Sequence, residues 1–283
     1  TSQVMFVGPI NRNFTQISWS TELPYQRDME DLKDINTLLL LHFDNGTGEN
    51  ATLFFNTATN NAQGLPNGTC TPTSNQCPNY TSNSKFGKFG IKFEIQAKNA
   101  INLSDNDIWA FKNFTIEMWA NFGGFNNPSA IIAQNKDDNS NWKIYYEPGN
   151  LVFYVNNVAK VTAPITLATN RWYHIAFASN GTGIMYVNGV GLANGTVGSI
   201  PNVADQLLIG SSREGGSAGG YNWNGTIDEV AIWNVSLSPA DVINRYKRGI
   251  LSLNMSVRSC DDSSCSGETW SETLTNNSGI KLN

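Results

Sequence analysis

Apolar and polar residues alternate through the middle of this chain with the period of two that is typical of β-strands. The clearest segment is NFTIEMWANF at 113–122, in which every second residue is apolar. Four similar segments follow at short intervals, at 142–147, 151–157, 171–179 and 183–190. Pro-Gly, Asn-Asn, Asn-Gly-Thr and Asn-Gly sequences separate them, and these are residues of hairpin turns. Strands this frequent, with no helical pattern between them, predict an all-β antiparallel sandwich or barrel.

One segment has the pattern of a helix, LSPADVINRYKRG at 237–249. Ser238 is the expected N-cap, Pro239 takes the first helical position and Asp241 gives an acidic first turn. Lys247 and Arg248 lie near the end, and Gly249 is expected to stop the helix. The sequence therefore predicts one short helix over 238–247.

The composition limits the classes of partner. Hydrophobic residues make up 40% of the 283 and charged residues only 14%, so a large core is expected and wholesale disorder is excluded. The net charge of −5 without a basic cluster gives no reason to expect nucleic acid or anionic lipid as a partner. No apolar run approaches the ~20 residues of a membrane span.

Four cysteines form two close pairs in the sequence, Cys70 with Cys77 and Cys260 with Cys265. Each pair brackets a short polar turn, so two local disulfides are favoured among the three possible pairings. A zinc site is disfavoured because the spacings and the Pro-rich and Asp-rich surroundings do not suit four convergent ligands. Disulfides indicate an oxidising, extracellular environment.

Asn-x-Ser/Thr sequons are about twice as frequent as chance placement gives. This density predicts a glycoprotein displayed outside the cell, with N-linked glycans on surface loops. Because the chain opens on Thr1, we expect that a leader was removed or that the chain is part of a longer protein. The thirteen candidate acceptors are Asn13, Asn45, Asn50, Asn67, Asn79, Asn102, Asn113, Asn180, Asn194, Asn224, Asn234, Asn254 and Asn276.

Several segments together resemble the laminin-G-like, concanavalin-A-like lectin superfamily. They are, in order, LLLLHFDNGTG, KFGIKFE, FTIEMWANF, RWYHIAFA, IMYVNGV, LLIGSSREGG and WNGTIDEVAIWNVSLSPADV. The resemblance implies an antiparallel jelly-roll β-sandwich over residues 36–248. It leaves an N-terminal flank at 1–35 and a C-terminal flank at 249–283, each read as an incomplete β module with strand-like segments.

Members of this superfamily often hold a structural calcium ion. The resemblance places its ligands at Asp44, in the His-Phe-Asp segment, and Asp228, in the Ile-Asp-Glu-Val segment. Carboxylate and loop carbonyl oxygens form the shell that calcium prefers. The alternative is that both residues only shape turns. Glu94 stands where relatives usually carry Asp, which weakens the inference that its loop binds glycans.

We expect no enzyme. The fold also hosts glycosidases, which need two carboxylates on one sheet face, but Glu117 has no acidic partner two residues along its strand. Asp228 and Glu229 are adjacent, and in a regular strand they would face opposite sides. Of the two histidines, His42 and His174, the latter lies in a core strand pattern and is expected to be structural.

Two functions remain open. The first is a structural subunit of a filament or surface layer, in which the flanks of neighbouring copies pair head to tail, since each flank alone would expose unpaired strand edges. The chain also resembles large microbial surface proteins in which small β modules alternate with laminin-G-like ones. The alternative is a carbohydrate-binding lectin or adhesion module, with Tyr221 and Trp223 as the aromatic platform. For Trp223 a place in the core of the final strand is favoured over the platform, since tryptophan is usually mostly buried.

Overall fold

The architecture was determined from a computed structural model of the chain. The residues that the structure describes are 16–17, 36–45, 49–58, 64–70, 77–124, 128–137, 140–214, 217–250, 254–255, 269, 274–275 and 280–281.

These residues form one α-helix, α1 (Pro239–Ile250), two short 3₁₀ helices (Ile95–Ala97 and Asp107–Trp109) and 22 strands. The first eleven strands are β1 (Gln16–Ile17), β2 (Thr37–Leu41), β3 (Leu53–Phe54), β4 (Gly68–Thr69), β5 (Asn79–Thr81), β6 (Gly90–Phe93), β7 (Ile101–Leu103), β8 (Phe114–Phe122), β9 (Ser129–Asp137), β10 (Ser140–Glu147) and β11 (Asn150–Val155). The others are β12 (Val158–Pro164), β13 (Trp172–Ser179), β14 (Thr182–Val187), β15 (Val190–Thr196), β16 (Leu207–Ile209), β17 (Ser211–Glu214), β18 (Ser217–Asn222), β19 (Gly225–Trp233), β20 (Asn254–Met255), β21 (Leu274–Thr275) and β22 (Ile280–Lys281).

Two eight-stranded antiparallel sheets form the body of the fold. Sheet 1 has the order β12-β11-β10-β9-β16-β7-β4-β3, and sheet 2 has the order β15-β14-β13-β8-β19-β6-β5, with β2 also paired to β19. Their facing apolar side chains form one large core, in which the rings of Phe153 from sheet 1 and Phe177 from sheet 2 stack at 4.0 Å. The predicted antiparallel jelly-roll sandwich is confirmed.

The hairpins follow the local turn chemistry. Asn156 and Asn157 join β11 to β12, and both have positive φ, at 50° and 58°. Asn188 and Gly189 join β14 to β15 with φ of 51° and 75°. A two-residue turn of type I′ requires positive φ at both positions, which asparagine and glycine adopt most readily.

Helix α1 begins where the sequence predicts. Ser238 Oγ accepts a hydrogen bond from the Asp241 backbone N–H at 3.2 Å, and the Asp241 carboxylate accepts one from the Ser238 backbone N–H at 3.1 Å. This reciprocal capping satisfies N–H groups at the first turn. The expected stop at Gly249 is wrong, because the helix continues to Ile250. Gly249 instead lies against the Trp119 indole, where a Cβ atom would clash.

By its contacts the chain divides into two units, Arg27–Gly249 and a smaller one of Thr1–Gln26 with Ile250–Asn283. The boundaries at 36 and 248 stay predictions. In the smaller unit β1 pairs antiparallel with β22, Gln16 opposite Lys281 and Ile17 opposite Ile280. The predicted pairing of the flanks with neighbouring copies finds no support in these residues, because β1 and β22 pair within one chain.

The predicted disulfide between Cys70 and Cys77 is confirmed, with the two Cα atoms 5.2 Å apart. The second predicted pair, Cys260 and Cys265, lies outside the described residues. Within the described part of the chain, no helix has the length and apolar character of a membrane span.

Candidate functional site

A polar cleft of about 270 Å³ lies where β9 ends and β10 begins, at one end of sheet 1. Strand ends and loops contribute its walls: the end of β9, the start of β10, the turn after β11 and the loop before β16. Its lining residues are Lys136, Ser140, Asn156, Pro201, Asn202, Val203 and Ala204. Small-molecule sites are concave, and a few placed polar groups fix the orientation of the ligand in them.

A chain of side-chain amides holds one wall of this cleft in place. Buried Gln134 donates from Nε2 to Asn202 Oδ1 at 3.1 Å and to the Asp205 carbonyl at 2.9 Å. Its Oε1 accepts from Trp142 Nε1 at 3.0 Å. Asn202 Nδ2 in turn donates to Asp107 Oδ1 at 3.0 Å. The loop that carries Asn202 is therefore fixed from both sides.

The opposite wall is built on the Asn156-Asn157 turn. The Asn156 backbone N–H donates to the Asn141 carbonyl at 2.8 Å, and the Asn157 N–H donates to Asn141 Oδ1 at 3.1 Å. Lys143 Nζ donates to Asn157 Oδ1 at 2.6 Å. These bonds hold the turn while the Asn156 side chain remains exposed. None of the cleft residues was identified from the sequence, since their approach depends on pairing between distant strands.

Beyond Asn157 the outer face of sheet 1 carries a row of tyrosines. The Tyr221 ring contacts the Tyr145 ring edge to face at 5.7 Å, and Tyr145 contacts Tyr154 at 6.0 Å. Lys143 Nζ lies 4.8 Å from the centre of the Tyr145 ring. Tyr145 is buried, whereas Tyr221 and Tyr154 are half-buried. Burial and the hydrogen bond that Tyr154 donates to Glu147 at 2.7 Å raise the pKa of the Tyr154 hydroxyl.

Of the two predicted platform residues, only Tyr221 lies at this surface. Trp223 is fully buried and packs against Phe122 at 5.6 Å between ring centres, so its assignment to a sugar-binding platform is wrong. The burial agrees with the alternative that Trp223 is a core residue of the final strand. The core between the sheets takes its ring instead.

Asp44 and Asp228, the predicted calcium ligands, anchor the loop at 85–89 by accepting backbone hydrogen bonds. Asp228 Oδ2 accepts from the N–H groups of Lys85 at 2.7 Å and Phe86 at 3.1 Å. Asp44 Oδ1 accepts from the N–H of Lys88 at 2.7 Å. Gly87 lies so close to the Asp44 carboxylate that a Cβ atom would clash with it.

Backbone N–H groups thus occupy oxygens of the two carboxylates that would have to bind a calcium ion. No group of three or more His, Cys, Asp or Glu side chains suited to a metal occurs in the described ranges. The residues fit a hydrogen-bonded loop anchor better than a calcium cage, and calcium binding stays a prediction. Burial raises the pKa of Asp228 well above its usual value, and the negative charges of Glu229 and Asp44 raise it further. The hydrogen bonds from the Phe86 and Lys85 N–H groups lower this pKa, but they do not outweigh the burial.

Asp228 and Glu229 do not alternate as they would in a regular strand. The pairing of β19 with β8 shifts register between Asp228 and Ala231, and Glu229 has a φ of 52°. At this bulge the Glu229 carboxylate forms a hydrogen bond with His42 Nδ1 at 2.9 Å. The two adjacent carboxylates therefore serve different contacts, and the strand-alternation argument does not apply here.

A second histidine–glutamate pair lies on the outer face of sheet 2, beneath α1. His174 Nε2 and Glu117 Oε1 are 2.9 Å apart, and Arg245 Nε of the helix lies 3.7 Å from Glu117 Oε2. Side chains of His174 and Glu117 are 0% and 1% exposed, which closes them to substrate. Burial alone would raise the pKa of Glu117, but Arg245 and then His174 hold that pKa below its usual value.

Comparison with known proteins identifies the family to which this fold belongs. Residues 96–243, more than half of the chain, match the laminin-G family described as the concanavalin A-like lectin/glucanases superfamily. Among curated proteins, a non-toxic nonhemagglutinin type D from Clostridium botulinum D phage is 24% identical over 140 residues, which are 47% of this chain and 11% of that protein. The chain thus spans about a tenth of the length of the curated relatives it matches.

Two solved structures share the architecture. The binding domain of Paraclostridial Mosquitocidal Protein 1 aligns with a TM-score of 0.57 at 19% identity, over 76% of this chain and 52% of that one. Domain 4 of AbnA, an extracellular arabinanase from Geobacillus stearothermophilus solved in complex with arabinotriose, aligns with a TM-score of 0.56 at 19% identity. That match covers 75% of this chain and 98% of the domain. Together with the family match over residues 96–243, these likenesses agree on one fold, and the chain belongs to the concanavalin A-like lectin/glucanases superfamily.

Proposed function

We propose that this chain is a lectin-like module that binds carbohydrate in the cleft lined by Lys136, Ser140, Asn156 and Asn202. The observation that carries the proposal is the chemistry of that lining, which combines an ammonium group, a hydroxyl and two side-chain amides in one concavity. Sugar hydroxyls both donate and accept hydrogen bonds, and amides and hydroxyls complement both roles.

Pre-organisation supports binding at this place. Gln134 and Asp107 hold Asn202 through hydrogen bonds of 3.1 and 3.0 Å, so less side-chain freedom is lost when a ligand bonds it. Lys136 is exposed at the mouth and has no hydrogen bond or ion pair among the described residues. An exposed ammonium group at this place can donate hydrogen bonds to a ligand in the cleft.

The comparisons support a binding role over a catalytic one. One structure of the same fold is named a binding domain, and another was solved with arabinotriose. In this chain Glu117 and His174 are sealed beneath α1, while Glu229 is buried and paired with His42. These groups stabilise the fold and are not placed to meet a substrate in the cleft.

We further propose that the module works outside the cell, at a cell surface. The Cys70–Cys77 disulfide and the sequon density support this placement, because disulfides persist in oxidising compartments. Carbohydrate displayed on another surface would then be the partner, and adhesion the outcome.

A glycan array followed by isothermal titration with the best soluble oligosaccharide tests the proposal. Lys136→Ala should weaken binding roughly tenfold or more, since a hydrogen bond from a charged donor contributes about 1.5–3 kcal/mol. Lys92→Ala is the matched control, because Lys92 is an exposed lysine of sheet 2 outside the cleft. Absence of any glycan binding, or equal affinity of both variants, would refute a sugar site in this cleft.

A further inference from the structure

Each of the two sheets ends in two edge strands, which expose backbone hydrogen-bonding groups. The terminal strands are β12 and β3 in sheet 1, and β15 and β5 in sheet 2; β2, which pairs only with β19, is a further edge of sheet 2, but all five of its residues are buried. An unprotected edge pairs readily with a strand of another molecule, so natural sheets shorten their edge strands or place charges or proline on them.

Three of these edges carry such protection in their own sequence. β3 has two residues and β5 has three, which leaves little to pair with. β12 contains Lys160 and ends on Pro164. The fourth edge differs, since β15 (VGLANGT) has seven residues with no charged side chain and no proline. Val190 at its start is 57% exposed.

We propose that an N-linked glycan on Asn194 protects the β15 edge against strand pairing. Asn194-Gly195-Thr196 is a sequon within the edge strand itself, and the Asn194 side chain is exposed. Within the described ranges its Nδ2 donates no hydrogen bond, so it is available for modification. The glycan would prevent another strand from approaching along β15.

The edge strands of the two sheets contact each other near the glycosylation site. Gly195 lies directly against the backbone carbonyl of Lys160 on β12, with no room for a Cβ atom. Edge strands β12 and β15 therefore meet on one flank of the sandwich, while Asn194, the neighbour of Gly195, points to the outer face of sheet 2 because successive side chains of a strand alternate. At the opposite edge of sheet 2, β5 also begins with an exposed sequon residue, Asn79.

The modification requires a co-reactant, an oligosaccharide carried on a polyprenyl diphosphate, and a transferase of the host. Asn194 Nδ2 attacks the anomeric carbon, and the N–C bond forms as the bond from that carbon to the diphosphate oxygen breaks. Nδ2 loses one proton, and the polyprenyl diphosphate leaves. No oxidation or reduction takes place.

The chain offers a matched set for the first measurement, which is site-resolved glycopeptide mass spectrometry of the native protein. Asn180, Asn194 and Asn224 all stand in Asn-Gly-Thr, so local sequence preference is the same. Asn180 and Asn194 are exposed, whereas Asn224 is half-buried with its Nδ2 packed against Gly124. We expect glycans on Asn194 and Asn180 and low occupancy of Asn224. An unmodified Asn194 overturns the proposal.

The second measurement is sedimentation velocity of Asn194→Gln and Asn180→Gln proteins that are otherwise glycosylated. Asn180 lies in the β13–β14 turn, so both variants lose one glycan but only Asn194→Gln uncovers an edge. We expect larger species with Asn194→Gln alone, and monomer again when Val190→Lys adds a charge to the bare edge. Equal behaviour of the two glutamine variants, or no rescue by the lysine, overturns edge protection.

Discussion

Glu117 is a buried acidic residue that contacts groups from both α1 and sheet 2. Its carboxylate is 1% exposed and faces His174 at 2.9 Å and Arg245 at 3.7 Å, so it neutralises cationic groups between α1 and sheet 2. Glu117→Gln keeps an acceptor for His174 but removes the negative charge. Breaking a buried ion pair in this way leaves an uncompensated cation and destabilises proteins by about 3–5 kcal/mol.

We expect Glu117→Gln to lower the free energy of unfolding by about 3 kcal/mol, the lower end of that range, because one hydrogen bond survives. For a domain of this size the melting temperature should fall by roughly 6–12 °C. The assay is urea denaturation followed by tryptophan fluorescence, with a calorimetric melting scan alongside.

The matched control is Glu94→Gln. Glu94 pairs with Lys92 at 2.8 Å, but their side chains are 47% and 52% exposed, and exposed pairs contribute about 0–1 kcal/mol. A loss below about 1 kcal/mol for Glu117→Gln would contradict the reasoning, because it would mean that the buried charge has no net role.

The pH dependence gives an independent check. Because the pKa of Glu117 is held below its usual value, its contribution is present above the pKa of an unfolded glutamate, about 4.3. That contribution is lost as the pH falls through the lower pKa of the folded state. Glu117→Gln should lack this part of the acid destabilisation, while Glu94→Gln should retain it.

Four further changes test other parts of the structure. Gly249→Ala should destabilise by about 1–3 kcal/mol, because its Cβ atom would clash with the Trp119 indole; an unchanged melting temperature would show that the helix can shift. Cys70→Ser with Cys77→Ser should cost roughly 2–3 kcal/mol of stability by denaturant titration, as expected for a short closed loop. Burial raises the pKa of Asp228, so the stability of the wild-type protein should decline as the pH rises from about 4 toward that pKa. Melting temperatures measured across this pH range should show the decline for the wild type and not for Asp228→Asn. Removal of calcium with EDTA should lower the melting temperature if the predicted ion is bound; an unchanged value would leave its two predicted ligands as hydrogen-bonded loop anchors.

The sandwich itself could be predicted from the sequence because its hairpins are specified locally. Asn188-Gly189 selects one turn type, and that turn fixes the register of β14 with β15. The capping of α1 by Ser238 and Asp241 is equally local, since the two residues are three apart. Such signals act over a few residues, so they can be recognised without knowledge of contacts between distant segments.

The polar cleft could not be predicted because it depends on contacts between distant segments. Gln134 and Asn202 are 68 residues apart and meet only after β16 pairs with β9. The burial of Trp223, by contrast, agrees with the alternative that it is a core residue, because tryptophan is usually mostly buried. The bulge at Glu229 could not be predicted either, because it interrupts the alternation of side chains that a regular strand would give Asp228 and Glu229.

The distribution of covered and open faces explains why a ligand site is proposed at one end of sheet 1. On sheet 2, α1 and the loop at 85–89 pack over Trp119: the Tyr246 ring stacks on it at 6.0 Å and Lys85 Nζ lies 4.4 Å from a ring centre. Because α1 and this loop cover the face, the side chains of His174 and Glu117 beneath them are closed to solvent and contribute to the stability of the fold. At the end of sheet 1, by contrast, Lys136 and Asn156 remain exposed beside a wall fixed by buried Gln134. Rigid support beneath exposed polar groups is the arrangement that recognition of a hydroxyl-rich ligand requires.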